Sequence, residues 1–476
     1  MAQSARMLPC HHAVGALVVQ PYRSCHRRFL SLQARSSLFD SRTGAFDPGN
    51  WVFSPEWWGT QGRGWGRNLG NTVFEQPSEK GNGLVSVTAH PASSSGLEDW
   101  PELSKLLHGR QVTNCEWRVL RFNHETRQSV AKIVVVEGQD HEEPYLMQIP
   151  GCLAFEYLKS MISVGLSSIN CAGLNLELVA QGKSKLRCLC IGLGGGSLPL
   201  FLVNKLKGCS VEIVEIDKTV ISAASECMGF PRKAFRALQH SDHGLSFLNT
   251  SERFSCACEG LGIRNHSNIK YTSGVGHTTT ALWGELPERI VGVEADGVAY
   301  VSKLFKDIGL EGQHYDLAFI DAFDGKDDVP SGFWSRGGPF LTGLRDLLNP
   351  HHGTAVVNLH TDSPPPSLIE RIRGDFGPGF DPHLPGGKQL LDISQVYRDE
   401  LLYHWRQGQT NALKGAAFTV AVPRQQNICL VVSRGIIGMK ASIVQNLVSA
   451  ACYLERVLDI PFPMSKRVSR GFQIVP

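Results

Sequence analysis

Residues 186–197 read LRCLCIGLGGGS, a strand-like run that ends in Gly192 and continues through Gly194, Gly195 and Gly196. No other stretch restricts the possible folds as much. Glycine gives up more backbone freedom on folding than any other residue, so four glycines in five positions mark a place that needs bare backbone or positive φ. A strand that ends in such a turn and opens a helix lets a ligand approach the chain closely and aims the helix N-terminus at it. A tight structural turn would use the same residues. A dinucleotide fingerprint would carry its last glycine at position 197, where Ser197 stands.

From this turn onward, strand-like runs alternate with helix-like ones. Strand runs fall at 186–191, 211–216, 290–294, 317–320 and 354–359, with helical spacing at 197–207, 218–228, 297–308 and 338–348. This alternation predicts a parallel sheet with helices on both faces. Runs at 418–422 and 428–432, joined by a short Pro-containing loop, predict a closing antiparallel hairpin, and an amphipathic helix follows at 440–457. Upstream, runs at 117–122, 131–137 and 145–149 predict a small antiparallel sheet, followed by helical spacing over 153–166. The expected organisation is a small N-terminal β region with a helix (111–170) and a large α/β domain (171–476). A polar insertion at 232–284 is far longer than an ordinary helix-to-strand connection.

Two segments stand apart. Residues 41–110 are rich in Gly, Ser and Pro, with Trp51, Trp57, Trp58 and Trp65 set among glycines without a period, and read as a linker. Residues 1–40 hold five arginines, several serines, no lysine and no acid before Asp40, the composition of a chloroplast or mitochondrial transit peptide. Without such targeting, a cytoplasmic protein is expected.

A formal charge of +3 over 476 residues gives no basic footprint for nucleic acid. No apolar run reaches the roughly 18 residues of a membrane span, so no membrane partner is expected. The thirteen cysteines are scattered and odd in number, unlike a disulfide framework. Cys256 and Cys258, with His240, His243, His266 and His277 nearby, match no zinc spacing, and no metal is expected.

Acids recur where the strands end. Glu215 closes the second strand about twenty residues beyond the glycines, the position from which a carboxylate takes both hydroxyls of a ribose, while Asp217 is placed to cap the next helix. Asp296–Gly297 ends the third strand, either as a simple turn or as an acceptor for the amine of an adenine. The fourth strand, YDLAFI, ends in Asp321-Ala-Phe-Asp324-Gly, two carboxylates at the edge where ligands bind in open α/β sheets.

Taken in order, GLGGGSLPLFL, VEID, EADG and YDLAFIDAFDG resemble the class I S-adenosylmethionine-dependent methyltransferase superfamily, and within it the spermidine synthase-like, methyltransferase-like branch (plant-type) that includes relatives of the enzymes methylating elongation factor 1 alpha. The resemblance spans about 110–476 without the insertion. It implies a Rossmann-like sheet of seven strands closed by an antiparallel hairpin, with S-adenosyl-L-methionine as cofactor. It places Gly192, Gly194, Gly195 and Gly196 beside the methionine moiety, Glu215 on the ribose, Asp296 on the adenine amine and Gly297 against the ring. Asp321 matches the acid that deprotonates and orients an attacking amine, and Asp324 a second acid that holds a polyamine nitrogen. The amine-site segment of polyamine enzymes aligns with LAFEYLK, where Phe155 and Tyr157 match, the acid pair and the Gln do not, and Lys159 brings a positive charge.

The expected activity is methyl transfer to an amine, on a protein or a small molecule, with Asp321 and Asp324 catalytic and Tyr157 and Asp324 in the substrate site. Aminopropyl transfer in polyamine synthesis is the alternative, and a non-catalytic adenosine-binding or scaffold protein the second. The acceptor and the oligomeric state are left open.

Overall fold

The computed structural model describes residues 70–138, 144–235, 283, 286–308, 314–323, 329–361, 387–406, 409–412 and 415–476, apart from single positions or pairs at 93, 95–96, 98–99, 125 and 424. The transit-like segment 1–40, the four tryptophans at 51–65, the Cys/His group near 256 and Asp324 lie outside the described residues.

An antiparallel sheet comes first, in the order β1 (Asn71–Pro77), β2 (Leu84–Pro91), β3 (Val112–Phe122), β4 (Thr126–Val136) and β5 (Tyr145–Gln148). This corrects the reading of 41–110 as a linker: β1 and β2 lie inside it. β1 is an edge strand that buries only Phe74, so it carries no alternation of apolar residues for a sequence to display.

The second sheet has eight strands. β6 (Leu186–Ile191), β7 (Cys209–Glu215), β8 (Ile290–Glu294), β9 (Leu317–Ile320) and β10 (Thr354–His360) run parallel in the order β10-β9-β6-β7-β8. A minor pair, β11 (Tyr403–Arg406) and β12 (Gln409–Ala412), stands outside it. The hairpin β13 (Gly415–Ala421) and β14 (Asn427–Arg434) closes the sheet, with β14 antiparallel to β10. The seven expected strands are joined by β15 (Gln473–Ile474), which adds to β13 through two residue pairs, too short to leave a periodic signal. This is the doubly wound α/β class that the alternation predicts. Its central strands are buried on both faces, which is why they read as continuous apolar runs: Leu189 faces one core, Cys188 and Cys190 the other.

The chain leaves β6 for β7 and β8 on one side and returns to β9 on the other. That reversal opens a crevice at the carboxyl ends of β6 and β9, the usual ligand position in open α/β sheets. The antiparallel sheet covers part of this edge. Val85, Val87, Leu120 and Ala131 pack on Val220 and Ala223 of the helix Lys218–Cys227, beside Met228. Asp217 fastens the contact. Its Oδ1 accepts from the Thr219 N–H at 2.9 Å, capping that helix, and its Oδ2 accepts from Ser78 Oγ at 2.5 Å and Asn82 Nδ2 at 2.8 Å, both in the β1–β2 turn. Replacing Asp217 by Ala removes a helix cap and two charge-assisted hydrogen bonds. We expect a loss of about 2–4 kcal/mol in urea unfolding, with faster amide exchange in β1 and β2; an unchanged midpoint would refute this role.

Candidate functional site

A cavity of about 520 Å³ lies at the carboxyl edge of the parallel strands. That volume falls within the range of small-molecule sites, about 300–1,000 Å³. One wall comes from the ends of β6, β7, β9 and β10, the other from β4 and the β1–β2 turn.

The glycine turn answers first to the protein itself. Gly192 has φ +95°, and a Cβ there would sit 2.2 Å from the Asp321 carbonyl oxygen. Gly196, at φ +78°, caps the helix Ser197–Lys205, and a Cβ would sit 2.1 Å from the Phe230 ring. Both the tight turn and the exposed backbone are therefore present: Gly192 and Gly194 line the cavity, while Gly195 and Gly196 are not among its lining residues.

Glu215 ends β7 with its side chain in the cavity wall, 8% exposed. Its Oε2 accepts from the Leu193 N–H at 2.8 Å and its Oε1 from the Asp217 N–H at 3.0 Å, so one carboxylate holds the glycine turn against the second strand. Burial pushes its carboxyl up to about 7, against the pull of those N–H donors. Asp296 and Gly297 also line the cavity. Asp296 Oδ1 accepts from the Ala299 N–H at 2.8 Å, and Gly297 lies where a Cβ would press on Ile191 and Phe333.

Asp321 sits at the end of β9. Its Oδ1 accepts from Asn358 Nδ2 at 2.8 Å, and Tyr157 donates its hydroxyl to the same carboxylate. Asn358 in turn accepts from Asn427 Nδ2 at 3.0 Å through its Oδ1. Burial raises the Asp321 carboxyl above its ordinary value, opposed by the hydrogen bonds of Asn358 and Tyr157 and by His360. Burial and the Asp321 charge push the Tyr157 hydroxyl well up, so it stays protonated and donating. At the rim, Phe323 stacks on His360 with centroids 4.4 Å apart, and Phe155 leans on Tyr157 at 5.6 Å.

The structure thus gathers Gly192, Gly194, Glu215, Asp296, Gly297, Asp321 and Tyr157 around one cavity. Lys159 is a correction. Rather than facing a substrate, it is 2% exposed and donates to Glu156 Oε1 at 2.8 Å, while Arg467 Nη2 donates to the other oxygen at 2.5 Å. Its charge is spent inside a buried ion cluster that ties the helix Glu156–Cys171 to the C-terminal region. Asn358 went unnoticed in the sequence. The one available signal was its place as the only amide in the apolar run TAVVNL of β10. Arg127 and Ser129 of β4, also in the cavity wall, belong to no motif. Among the described residues, no group of His, Cys, Asp or Glu could hold a metal ion, and no helix is long and apolar enough to cross a membrane.

No protein-family model matches the sequence. The chain is 37% identical over 121 residues to the eEF1A lysine and N-terminal methyltransferase of Xenopus laevis, covering 25% of this chain and 16% of that protein. It is 28% identical over 155 residues to the human protein of the same description, 30% and 20% of the two lengths. The chain therefore spans no more than about a fifth of these curated relatives. Among solved structures, human methyltransferase-like protein 13 in complex with SAH aligns over 64% of this chain and 93% of that one, at 18% identity and a TM-score of 0.37. A probable spermidine synthase from Corynebacterium glutamicum aligns over 80% and 86%, at 13% identity and a TM-score of 0.41.

The raised Glu215 carboxyl has a consequence for stability. Between about pH 4.5 and pH 7 the folded chain keeps a proton that the unfolded chain has released, so this group's contribution falls as pH rises across that window. Glu215→Gln removes that dependence. Relative to the parent, the variant should gain about 3 kcal/mol in urea unfolding between about pH 4 and pH 8; a constant difference would show an ordinary carboxyl.

Proposed function

From the class I S-adenosylmethionine-dependent methyltransferase fold of this chain, we propose that it is a methyltransferase using S-adenosyl-L-methionine and acting on an amine borne by a protein. The observation that carries the reading is the buried Asp321 carboxylate, fixed by Asn358 and Tyr157, in the wall of the same cavity as the glycine turn, Glu215 and Asp296. The donor set fits the nucleoside: Glu215 for the ribose hydroxyls, Asp296 for the adenine amine, with Gly297 admitting the ring. The matched stretch in the eEF1A lysine and N-terminal methyltransferases supports a protein amine as acceptor.

The cofactor, when bound, supplies a methyl carbon already activated by a sulfonium. What the chain must add is position and a proton acceptor. An ammonium has no lone pair until it loses a proton. Asp321, made more basic by burial, would take that proton and leave the nitrogen lone pair free, in the cavity where Gly192, Gly194, Glu215 and Asp296 would hold the methyl donor. Tyr157 and Asn358 hold the carboxylate still, since both donate to it and neither competes for its proton. Asp324, three residues beyond Asp321 in the sequence, remains part of the proposal as a second acid for the incoming cation. The transit-like composition of residues 1–40 extends it to a chloroplast or mitochondrial protein, which a fluorescent fusion of those residues would test: a diffuse cytoplasmic signal would refute it.

Asp321→Asn should lower kcat by about 10²–10⁴ in a methyl-transfer assay on translation-factor protein, with cofactor affinity changed less than about threefold. Glu215→Ala and Asp296→Ala should instead each weaken cofactor binding by about tenfold or more in calorimetry. Cofactor binding indifferent to Glu215→Ala and Asp296→Ala, or a kcat unchanged in Asp321→Asn, would sink the assignment.

A further inference from the structure

The acids of the cavity all have partners, whereas its arginine pairs with no carboxylate among the described residues. Glu215, Asp296 and Asp321 accept hydrogen bonds from Leu193, Asp217, Ala299, Asn358 and Tyr157. Arg127 lines the same cavity, and among the described residues no carboxylate pairs with it. Its register partner across the β3–β4 ladder is Arg121, another cation. Like charges directly opposite each other on adjacent strands destabilise a sheet. Burial adds to that cost. It lowers the Arg127 guanidinium to about 10 with the help of Arg121, and lowers Arg121 as well. His90 offers no relief, since burial and both arginines push it to about 4 and it is neutral at physiological pH. Two partly buried guanidinium groups therefore face each other beside the cavity, with no carboxylate among the described residues paired to either.

Position identifies the missing anion. Leu120 pairs with Ser129 and Arg121 with Arg127, so the ladder slips by one residue at Gln128, a bulge of the kind that re-aims side chains beside functional sites. Ser129 reaches the glycine turn: a Cβ on Gly195 would sit 2.8 Å from its Oγ, and one on Gly194 3.5 Å from it. Arg127, two residues away, thus lies at the glycine-turn end of the cavity. The other cation in the wall, Lys80, belongs to the β1–β2 turn that Ser78 and Asn82 fasten to Asp217, at the Glu215 end.

We propose that Arg127 binds the α-carboxylate of the methionine moiety and thereby selects S-adenosyl-L-methionine over its decarboxylated form. This rests on the nucleoside reading above and deepens it. A guanidinium meets a carboxylate through two parallel N–H donors, a geometry that a decarboxylated donor cannot satisfy. With that donor the arginine would stay buried and unpaired. The choice between methyl transfer and aminopropyl transfer is then made in the antiparallel sheet, by a residue outside every motif of the parallel one.

The test compares two nucleosides by calorimetry. S-Adenosylhomocysteine carries the amino-carboxylate; 5′-methylthioadenosine keeps the adenosine and the sulfur and lacks it. The parent chain should prefer the first by about 10- to 100-fold. Arg127→Gln should abolish that preference and leave 5′-methylthioadenosine binding within about twofold, which also shows that the variant is folded. Arg127→Lys should restore part of the preference. A preference that persists in Arg127→Gln, or none in the parent, overturns the role of Arg127 and leaves the nucleoside site standing. Binding of neither nucleoside by the parent overturns both.

Discussion

The site depends on one buried carboxylate that touches no ligand. Asp217 is 1% exposed and accepts three hydrogen bonds, one from the helix it caps and two from the turn between β1 and β2. A buried charge persists only when its lone pairs are satisfied, so the helix start and the turn are fixed together. Through that clamp the antiparallel sheet is held over the edge of the parallel sheet. The clamp adds to the apolar packing of Val85, Val87, Leu120 and Ala131 on Val220 and Ala223, which brings Ser129 and Arg127 beside the glycines.

The chemistry is spread over elements that are far apart in sequence. Tyr157 comes from the helix after the first sheet, Asp321 from β9, Asn358 from β10 and Asn427 from β14, yet they form one chain of hydrogen bonds. Each link limits the rotamers of the next, so the carboxylate in the crevice is held in one alignment, as the proposed amine attack requires. A separate buried cluster does comparable work below the site. Glu156 bonds Lys159 and Arg467, tying the start of the Tyr157 helix to the C-terminal region.

Much of this was legible in the sequence, for reasons that can be named. The parallel strands are buried on both faces and read as apolar runs, and the acids at their ends break those runs where the crevice lies. Glu215, Asp296 and Asp321 were found in that way. The antiparallel sheet was half legible. β3, β4 and β5 carry recognisable apolar runs, but β1 buries a single residue and left no pattern. Lys159 was misread because its sequence neighbours suggested a substrate site, whereas its charge is answered by Glu156 three residues earlier, a pairing that only a helical backbone makes visible. Asn358 left only a faint mark and Arg127 none, because their partners, Asp321 and Arg121, lie on other strands.

The wall of the cavity built by β4 and the wall built by the parallel strands are held by different constraints. The parallel edge is locked: Gly192 lies against the carbonyl of Asp321, so neither strand end can drift without the other. The bulge at Gln128 instead leaves a residue of β4 without a partner in the β3 ladder, between the Leu120–Ser129 and Arg121–Arg127 pairs. Substitutions at the bulge can therefore reshape one wall of the cavity while the locked parallel edge opposite keeps its form.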